Sequence, residues 1–512
     1  MLAKTFGGAV FGVDAYLITI EVSVGQGTKF FMVGLPDSAV KESEQRVEAA
    51  IKHSGYAMPR IKTVVNLAPA DIRKEGSAYD LPIAVGILAA SGQIQDTLLS
   101  KYLIMGELSL DGILRPIKGV LPIAVEARKH GYQGFILPKE NAREAAIVNN
   151  LEVIGVETLS ETIGFLQGKQ AIEPFWHETR DVFFEEINQF AVDFSDVQGH
   201  ESIKRALEVA AAGGHNVIMV GPPGSGKTML ARRIPTILPP LTLHEALETT
   251  KIHSVAGKLG GNNSLIAQRP FCAPHHTISD AALVGGGNIP QPGQISLAHN
   301  GILFLDELPE FKRTVLEVLR QPLEERAVTI SRAKGTVNFP ANFMLIASMN
   351  PSPSGDFFDA QTGGHPDSPT AVQRYLNKIS GPLLDRIDIH VEVNPVPFDE
   401  MTADRKTESS KVIRQRVITA RRRQTERFKE STVYCNAMMP PPMVKEICKI
   451  SPAGKTLLKT AMERLGLSSR AYDRILKVSR TIADLAGIDD IAVEHLAEAI
   501  QYRSLDREGW NG

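Results

Sequence analysis

The pattern of apolar and polar positions changes character three times along the chain. Residues 16–24, 29–33 and 63–67 are short strand-like runs, and residues 38–53 and 81–91 carry helical spacing, so residues 1–170 predict a mixed α/β domain. Over 171–195 the pattern dissolves into Pro174, Phe175, Trp176 and His177 among mixed charge, which predicts a linker. Apolar runs then appear at 216–220, 301–305 and 343–349, as expected of strands buried on both faces of a parallel sheet. They define a core over 196–397, closed by Asn394-Pro395-Val396-Pro397. Beyond it only helical spacing remains, at 411–427, 442–449, 454–465, 469–486 and 493–503, so residues 398–512 predict a helical lid or bundle.

One segment of the core departs from a plain parallel sheet. Residues 328–330 and 336–339 are β-rich and flank Ser331-Arg332-Ala333-Lys334-Gly335, a predicted hairpin with Arg332 and Lys334 at its tip.

Composition narrows the class. A chain of 512 residues exceeds one hydrophobic core, which implies about two to four domains. Lysine and arginine total 56 against 58 acidic residues, so any nucleic-acid surface must be local. One local concentration lies at 405–429, where ten Lys/Arg stand against Glu408 and Glu426. It reads either as a DNA-facing stretch or as a solvated helix face balanced by acids of another subunit. Cys272, Cys435 and Cys448 are too few and too scattered for a disulfide framework or a metal quartet, and they suit a reducing compartment. The N-terminus lacks the charged-then-apolar pattern of a signal peptide, and no run reaches membrane-spanning length. The expectation is a soluble cytoplasmic protein.

The chemistry is concentrated at the ends of the buried runs. Gly221-Pro222-Pro223-Gly224-Ser225-Gly226-Lys227-Thr228 follows the first run and precedes a helical stretch from Met229, the strand-loop-helix setting of a phosphate-binding loop. Its glycines let backbone N–H groups turn toward a polyphosphate, and the helix N-terminus faces the same anion. Lys227 then reaches the β/γ-phosphates of ATP and Thr228 holds Mg²⁺. The second run ends in Asp306 and Glu307, placing one carboxylate to ligate Mg²⁺ through water and the other to polarise the attacking water. Asn350 ends the third run with an amide suited to orienting that water. Three strand ends therefore converge at the carboxyl edge of an open α/β sheet.

Longer segments carry a family resemblance. Val33-Gly34-Leu35-Pro36-Asp37, Val65-Asn66-Leu67-Ala68-Pro69-Ala70-Asp71, the run from Pro274-His275-His276-Thr277-Ile278-Ser279-Asp280 to Gly287, and Lys378-Ile379-Ser380-Gly381-Pro382-Leu383-Leu384-Asp385-Arg386-Ile387-Asp388 together resemble the ComM/YifB family of magnesium-chelatase-like AAA+ ATPases over essentially the whole chain. The resemblance implies a ring-forming ATPase, expected as a hexamer, which in the ComM branch is a DNA helicase promoting branch migration on single-stranded or branched DNA. It makes Asn350 the sensor 1 residue, Arg386 the arginine finger reaching a neighbouring subunit's ATP, and Arg470 the sensor 2 arginine of the lid. A guanidinium supplied in trans stabilises the transferring phosphoryl group and makes hydrolysis depend on assembly. The alternative for Arg386 is a structural bridge between Asp385 and Asp388.

The N-terminal domain resembles the Lon-protease domain through Lys74-Glu75-Gly76-Ser77-Ala78-Tyr79-Asp80 and Gly106-Glu107-Leu108-Ser109-Leu110-Asp111-Gly112. The nucleophile position falls on Ala78 and the lysine position on Leu121, which implies a scaffold without peptidase chemistry. Where family members carry two Cys-x-Cys pairs, this chain reads Ser352-Pro353-Ser354 and His365-Pro366-Asp367, so no thiolates are there for structural zinc. Three readings follow: a DNA-translocating AAA+ motor, a chelatase-type motor remodelling a protein partner, and a component of an ATP-dependent protease.

Overall fold

The computed structural model describes residues 1–176, 183–185, 187–259, 265–287, 290–332, 335–355, 367–397 and 407–503. They form two compact units, residues 1–185 with 243–267, and residues 186–242 with 268–512.

The first unit is built on a seven-stranded mixed sheet. Its strands are β1 (Leu2–Phe11), β2 (Asp14–Gly25), β3 (Phe30–Val33), β4 (Lys62–Ala68), β5 (Tyr102–Ile104), β6 (Gly134–Pro138) and β7 (Glu152–Val156), in the order β3-β4-β2-β1-β5-β6-β7. Residues 2–11, to which the sequence analysis assigns no element, are a full strand paired antiparallel with β2 from Leu2↔Ser23 to Phe11↔Asp14. Their glycines serve close packing: a Cβ on Gly7 would lie 2.7 Å from Met105 Sδ, and one on Gly8 2.8 Å from Ile123 Cγ2. The helix Asp80–Ala90 is buried along all 11 residues and therefore carries no polar face. Its one ionisable group, Asp80, takes a bidentate pair from Arg46 at 2.7 and 3.0 Å.

Residues 243–267, which the sequence reading assigned to the nucleotide core, pack with the first unit. Their helix Leu243–Val255 lies on the helix Val120–Lys129, where Gly119 N–H donates to the Ser254 carbonyl at 3.2 Å and the Ser254 hydroxyl donates to the Glu144 carboxylate.

The second unit holds a five-stranded parallel sheet of β8 (Val217–Val220), β9 (Phe271–Cys272), β10 (Ile302–Leu305), β11 (Met344–Met349) and β12 (Ile389–Glu392), in the order β9-β10-β11-β8-β12. The neighbours run parallel in register, Val217 opposite both Ile346 and Ile389. Every residue of β8, β10 and β11 is buried, as their continuous apolar runs require. The C-terminal helices share this core: Val417, Ile475, Ile482 and Leu496 belong to the same buried cluster as Leu207, Met219, Phe304 and Ile346. A hairpin between β10 and β11 pairs Ala327–Arg332 with Gly335–Pro340, longer by a few residues than the sequence runs suggested.

Candidate nucleotide-binding site

Strand β8 ends at Val220, the loop spans residues 221–226, and the helix Lys227–Ile237 starts two residues earlier than the sequence pattern indicated. Gly221 is dictated by space, because a Cβ there would sit 2.1 Å from the Val393 carbonyl oxygen. Gly224 and Gly226 take φ values of +77° and +89°, which L side chains adopt only with strain. Ser225 is 3% exposed, and its Oγ is buried without a hydrogen-bond partner among the described residues. A buried unpaired hydroxyl inside a ring of inward-turning backbone is the fit expected of an anion cradle. Lys227 Nζ donates to the carbonyls of Gly221 at 2.6 Å and Pro222 at 2.8 Å, and to Asn350 Oδ1 at 3.3 Å. Burial lowers the affinity of this amine for its proton, and the Asp306 and Glu307 carboxylates work against that shift.

The other strand ends meet at the same place. Thr228 Oγ1 donates to Asp306 Oδ2 at 2.8 Å, and the Ser348 hydroxyl donates to Asp306 Oδ1. This hydroxyl–carboxylate pair offers the oxygen ligands Mg²⁺ takes. Glu307 turns out of the strand at φ +54°, its N–H shared between Asp306 Oδ1 at 3.2 Å and Ser348 Oγ at 3.4 Å. The structure thus brings Lys227, Thr228, Asp306, Glu307 and Asn350 together. Ser348 was missed, although strand periodicity carried the signal: it stands two residues before Asn350 and points to the same side.

Arg386 and Arg470 lie in a second cluster. Arg386 is 8% exposed and its guanidinium contacts Glu324 and the Pro382 carbonyl, so it does not bridge Asp385 and Asp388. Those aspartates are held by the lid helix Ser469–Ala486 instead: Arg470 Nη1 reaches Asp385 Oδ2 at 3.3 Å, Arg474 Nε donates to the Asp385 carbonyl at 2.5 Å, and Arg474 Nη1 pairs with Asp388. Sequence reasoning missed Arg474, whose spacing of one helical turn from Arg470 is its only signal.

For nucleic acid, the two cationic features fare differently. Lys334 and the side chain of Arg332 lie outside the described residues, while the flanking strands pair up to Arg332↔Gly335. Of the stretch 405–429, Arg405 and Lys406 also lie outside, and most of its arginines are engaged within the chain. Arg414 donates to the Leu238 carbonyl at 2.9 Å, Arg416 pairs with Glu208 and Glu408, Arg421 donates to the Ala211 carbonyl at 3.0 Å, and Arg427 grips Asp484 at 2.6 and 2.9 Å. Glu208 and Glu408 of this chain balance Arg416, and Asp484 balances Arg427.

At the position of the expected thiolates, Ser352 Oγ and Ser354 Oγ lie 3.0 Å apart and Ser354 N–H donates to Asp367 Oδ2 at 2.8 Å; His365 lies outside the described residues. Hydroxyls and one carboxylate bind zinc weakly beside thiolates. Elemental analysis of purified protein is expected to find no stoichiometric zinc, and about one tightly held zinc per chain would overturn that expectation. In the first unit, Ser77 hydrogen-bonds Glu107, Lys74 is buried against the Pro69 carbonyl, and Leu121 is fully buried.

Three family models match the chain in succession. The family described as magnesium chelatase, subunit ChlI matches residues 193–401, a second ChlI family matches residues 20–141, and the ChlI C-terminal family matches residues 407–503. The chain is 45% identical to Competence protein ComM of Haemophilus influenzae, covering 99% of this chain and 98% of that protein. It is 44% identical to YifB of Escherichia coli, over 98% of this chain and 96% of that protein. A shorter similarity, 32% identity over 154 residues, links it to Lon protease 2 of Bacillus subtilis, with 27% of this chain and 26% of that protein covered.

Proposed function

Because the chain belongs to the ComM/YifB family of magnesium-chelatase-like AAA+ ATPases, we propose that it is an ATP-driven ring motor acting on DNA, a helicase or branch-migration enzyme of recombination or natural transformation. The observation that carries the ATPase part is the convergence of Lys227, Thr228, Asp306, Ser348 and Asn350 through hydrogen bonds at one sheet edge. The loop N–H groups and Lys227 bind the phosphates. Thr228 and Asp306 would hold Mg²⁺, which would supply positive charge to offset that of the polyphosphate. Glu307 accepts a proton from the attacking water, and Asn350 orients that water. Arg386 reaches the ATP of a neighbouring copy in a hexamer, and Arg470 contacts nucleotide from the lid.

The DNA part rests on the hairpin and on the family. In a ring, copies of one hairpin meet at a central pore, where Arg332 and Lys334 follow successive phosphates. The hairpin stands between the strand ending at Asp306/Glu307 and the strand ending at Asn350, so a change at the nucleotide moves both of its anchors. The protease reading lacks a nucleophile at Ala78 and a lysine at Leu121.

The test measures ATP turnover with no nucleic acid, with single-stranded DNA and with a branched junction, in the wild type and in Arg332→Ala/Lys334→Ala. Assembly and nucleotide binding are expected to persist in the double variant, while junction unwinding falls about ten-fold or more. Unchanged unwinding would remove the hairpin from the DNA path, and absence of any DNA response in the wild type would remove DNA as the substrate.

A further inference from the structure

The residue read as the arginine finger is turned inward. Arg386 is buried, and two of its nitrogens donate within its own chain: Nη1 to the Pro382 carbonyl four residues earlier, and Nη2 to Glu324 Oε1. Its Nε is buried with no hydrogen-bond partner among the described residues. A guanidinium that brings charge to a neighbouring copy's polyphosphate has to present its donors outside its own chain. The backbone is not what holds it back. Arg386 N–H donates to the Leu383 carbonyl at 3.0 Å, and the Arg386 carbonyl accepts from the Asn216 side chain at 3.1 Å. These bonds leave the side-chain torsions free, so the acceptors at the guanidinium decide where it points.

Of those two acceptors only Glu324 carries charge. Its carboxylate offers the guanidinium the same charge-assisted pairing that a phosphate offers, whereas Pro382 offers a neutral carbonyl. Glu324 is also firmly placed. It lies in the helix Arg320–Glu325, whose end is fixed by Arg326: its N–H donates to the Pro322 carbonyl at 3.0 Å, its carbonyl accepts from Ala341 N–H at 2.8 Å, and its Nη1 donates to the Phe343 carbonyl at 2.8 Å.

We propose that Glu324 is a positioning residue that stores the Arg386 guanidinium within its own subunit and competes for it with the γ-phosphate of a neighbouring copy's ATP. This rests on the reading of Arg386 as the finger. Carboxylate and phosphate use the same fork of donors, so engagement of one excludes the other. The restraint is weak enough to be released, because the Glu324 side chain is 60% exposed and ion pairs open to water contribute little. Each turnover then includes withdrawal of the arginine from Glu324, and removing the carboxylate makes that withdrawal easier.

The experiment compares full-length wild type, Glu324→Gln, Glu324→Ala, Arg386→Ala and the double variant Arg386→Ala/Glu324→Gln. Glu324→Gln keeps the size of the side chain and removes its charge. Steady-state kcat for MgATP is measured at protein concentrations where turnover per chain no longer rises with concentration, and ATP affinity is measured separately by equilibrium binding. Arg386→Ala is expected to lower kcat about a thousand-fold. Glu324→Gln and Glu324→Ala are expected to raise it about two- to five-fold while ATP affinity stays within about two-fold. In the Arg386→Ala background Glu324→Gln is expected to change nothing, since no finger is left to hold. Unchanged or lowered kcat in both Glu324 variants beside an inactive Arg386→Ala would overturn the proposal, and so would an equal rise in the Arg386→Ala background. Wild-type turnover by Arg386→Ala would instead overturn the finger reading, and the proposal with it.

Discussion

Replacing Glu307 by Gln is expected to lower ATP turnover by about a hundred- to ten-thousand-fold while ATP still binds and persists. The side chain keeps its shape, so the phosphate loop and the Thr228–Asp306 pair are left alone, and what disappears is the group that takes a proton from water. Lys227→Ala is expected to fail one step earlier. Lys227 Nζ is held by Gly221, Pro222 and Asn350 beside the Asp306 and Glu307 carboxylates, a position a cation holds and a methyl group leaves empty. Without it two carboxylates face the incoming polyphosphate unopposed, so nucleotide affinity should collapse along with turnover. Equilibrium binding of ATP separates the two variants: retained in Glu307→Gln, lost in Lys227→Ala. Hydrolysis at the wild-type rate by Glu307→Gln would move the base elsewhere, and normal binding by Lys227→Ala would dissociate the loop from the phosphates.

How far the sequence spoke depended on whether a residue's role was local. Residues 221–228 announce themselves because a phosphate loop is contiguous and its glycines are required by backbone geometry, as Gly221 against Val393 illustrates. Asp306 and Asn350 were legible because each ends an apolar run, and the sheet order brings run ends together without further information. Strand β1 was hidden by the same residue type that marked the loop. Gly7 and Gly8 leave room for Met105 and Ile123, about a hundred positions away, a requirement that no local pattern shows. The packing of residues 243–267 with the first unit was equally invisible, since the helix Leu243–Val255 has an unremarkable pattern and only its contact with Val120–Lys129 places it. Charge was the least legible quantity. Of the ten cations at 405–429, Arg416 pairs with Glu208 and Glu408 and Arg427 with Asp484, and of these acids only Glu408 lies within the stretch. The unassigned Arg474 touches its targets from the lid helix across to Asp385 and Asp388, about ninety positions earlier, where spacing along the chain carries little signal.

Arg474→Ala is expected to destabilise the second unit by about 3–5 kcal/mol, the cost of leaving a buried carboxylate without its charge partner. Asp388 is 2% exposed and meets three groups at once: it pairs with Arg474 of the lid helix, accepts from Asn216 N–H at 3.1 Å at the foot of β8, and lies 3.5 Å from the neighbouring His215 Nδ1. Burial alone would push this carboxyl up, yet Arg474 and the His215 hydrogen bond hold it far below the usual carboxylate range. A group depressed in the folded state contributes stability that is complete above the ordinary carboxylate pKa of about 3.9 and is lost as pH falls below it. The cost of Arg474→Ala should accordingly be largest near neutral pH and shrink below about pH 4, where Asp388 can protonate without its partner. Asn216 also donates from its side chain to the Arg386 carbonyl at 3.1 Å and accepts from Leu345 N–H at 2.8 Å, so the strand that feeds the phosphate loop and the segment bearing the proposed finger share one support. Hydrogen exchange read peptide by peptide tests this: protection should fall together in Ser469–Ala486, in β8 and around residues 385–389, while the strands of the first unit keep theirs. Loss confined to the lid helix would show that Arg474 only seats that helix, and a cost that grows on acidification would reverse the assigned charge on Asp388.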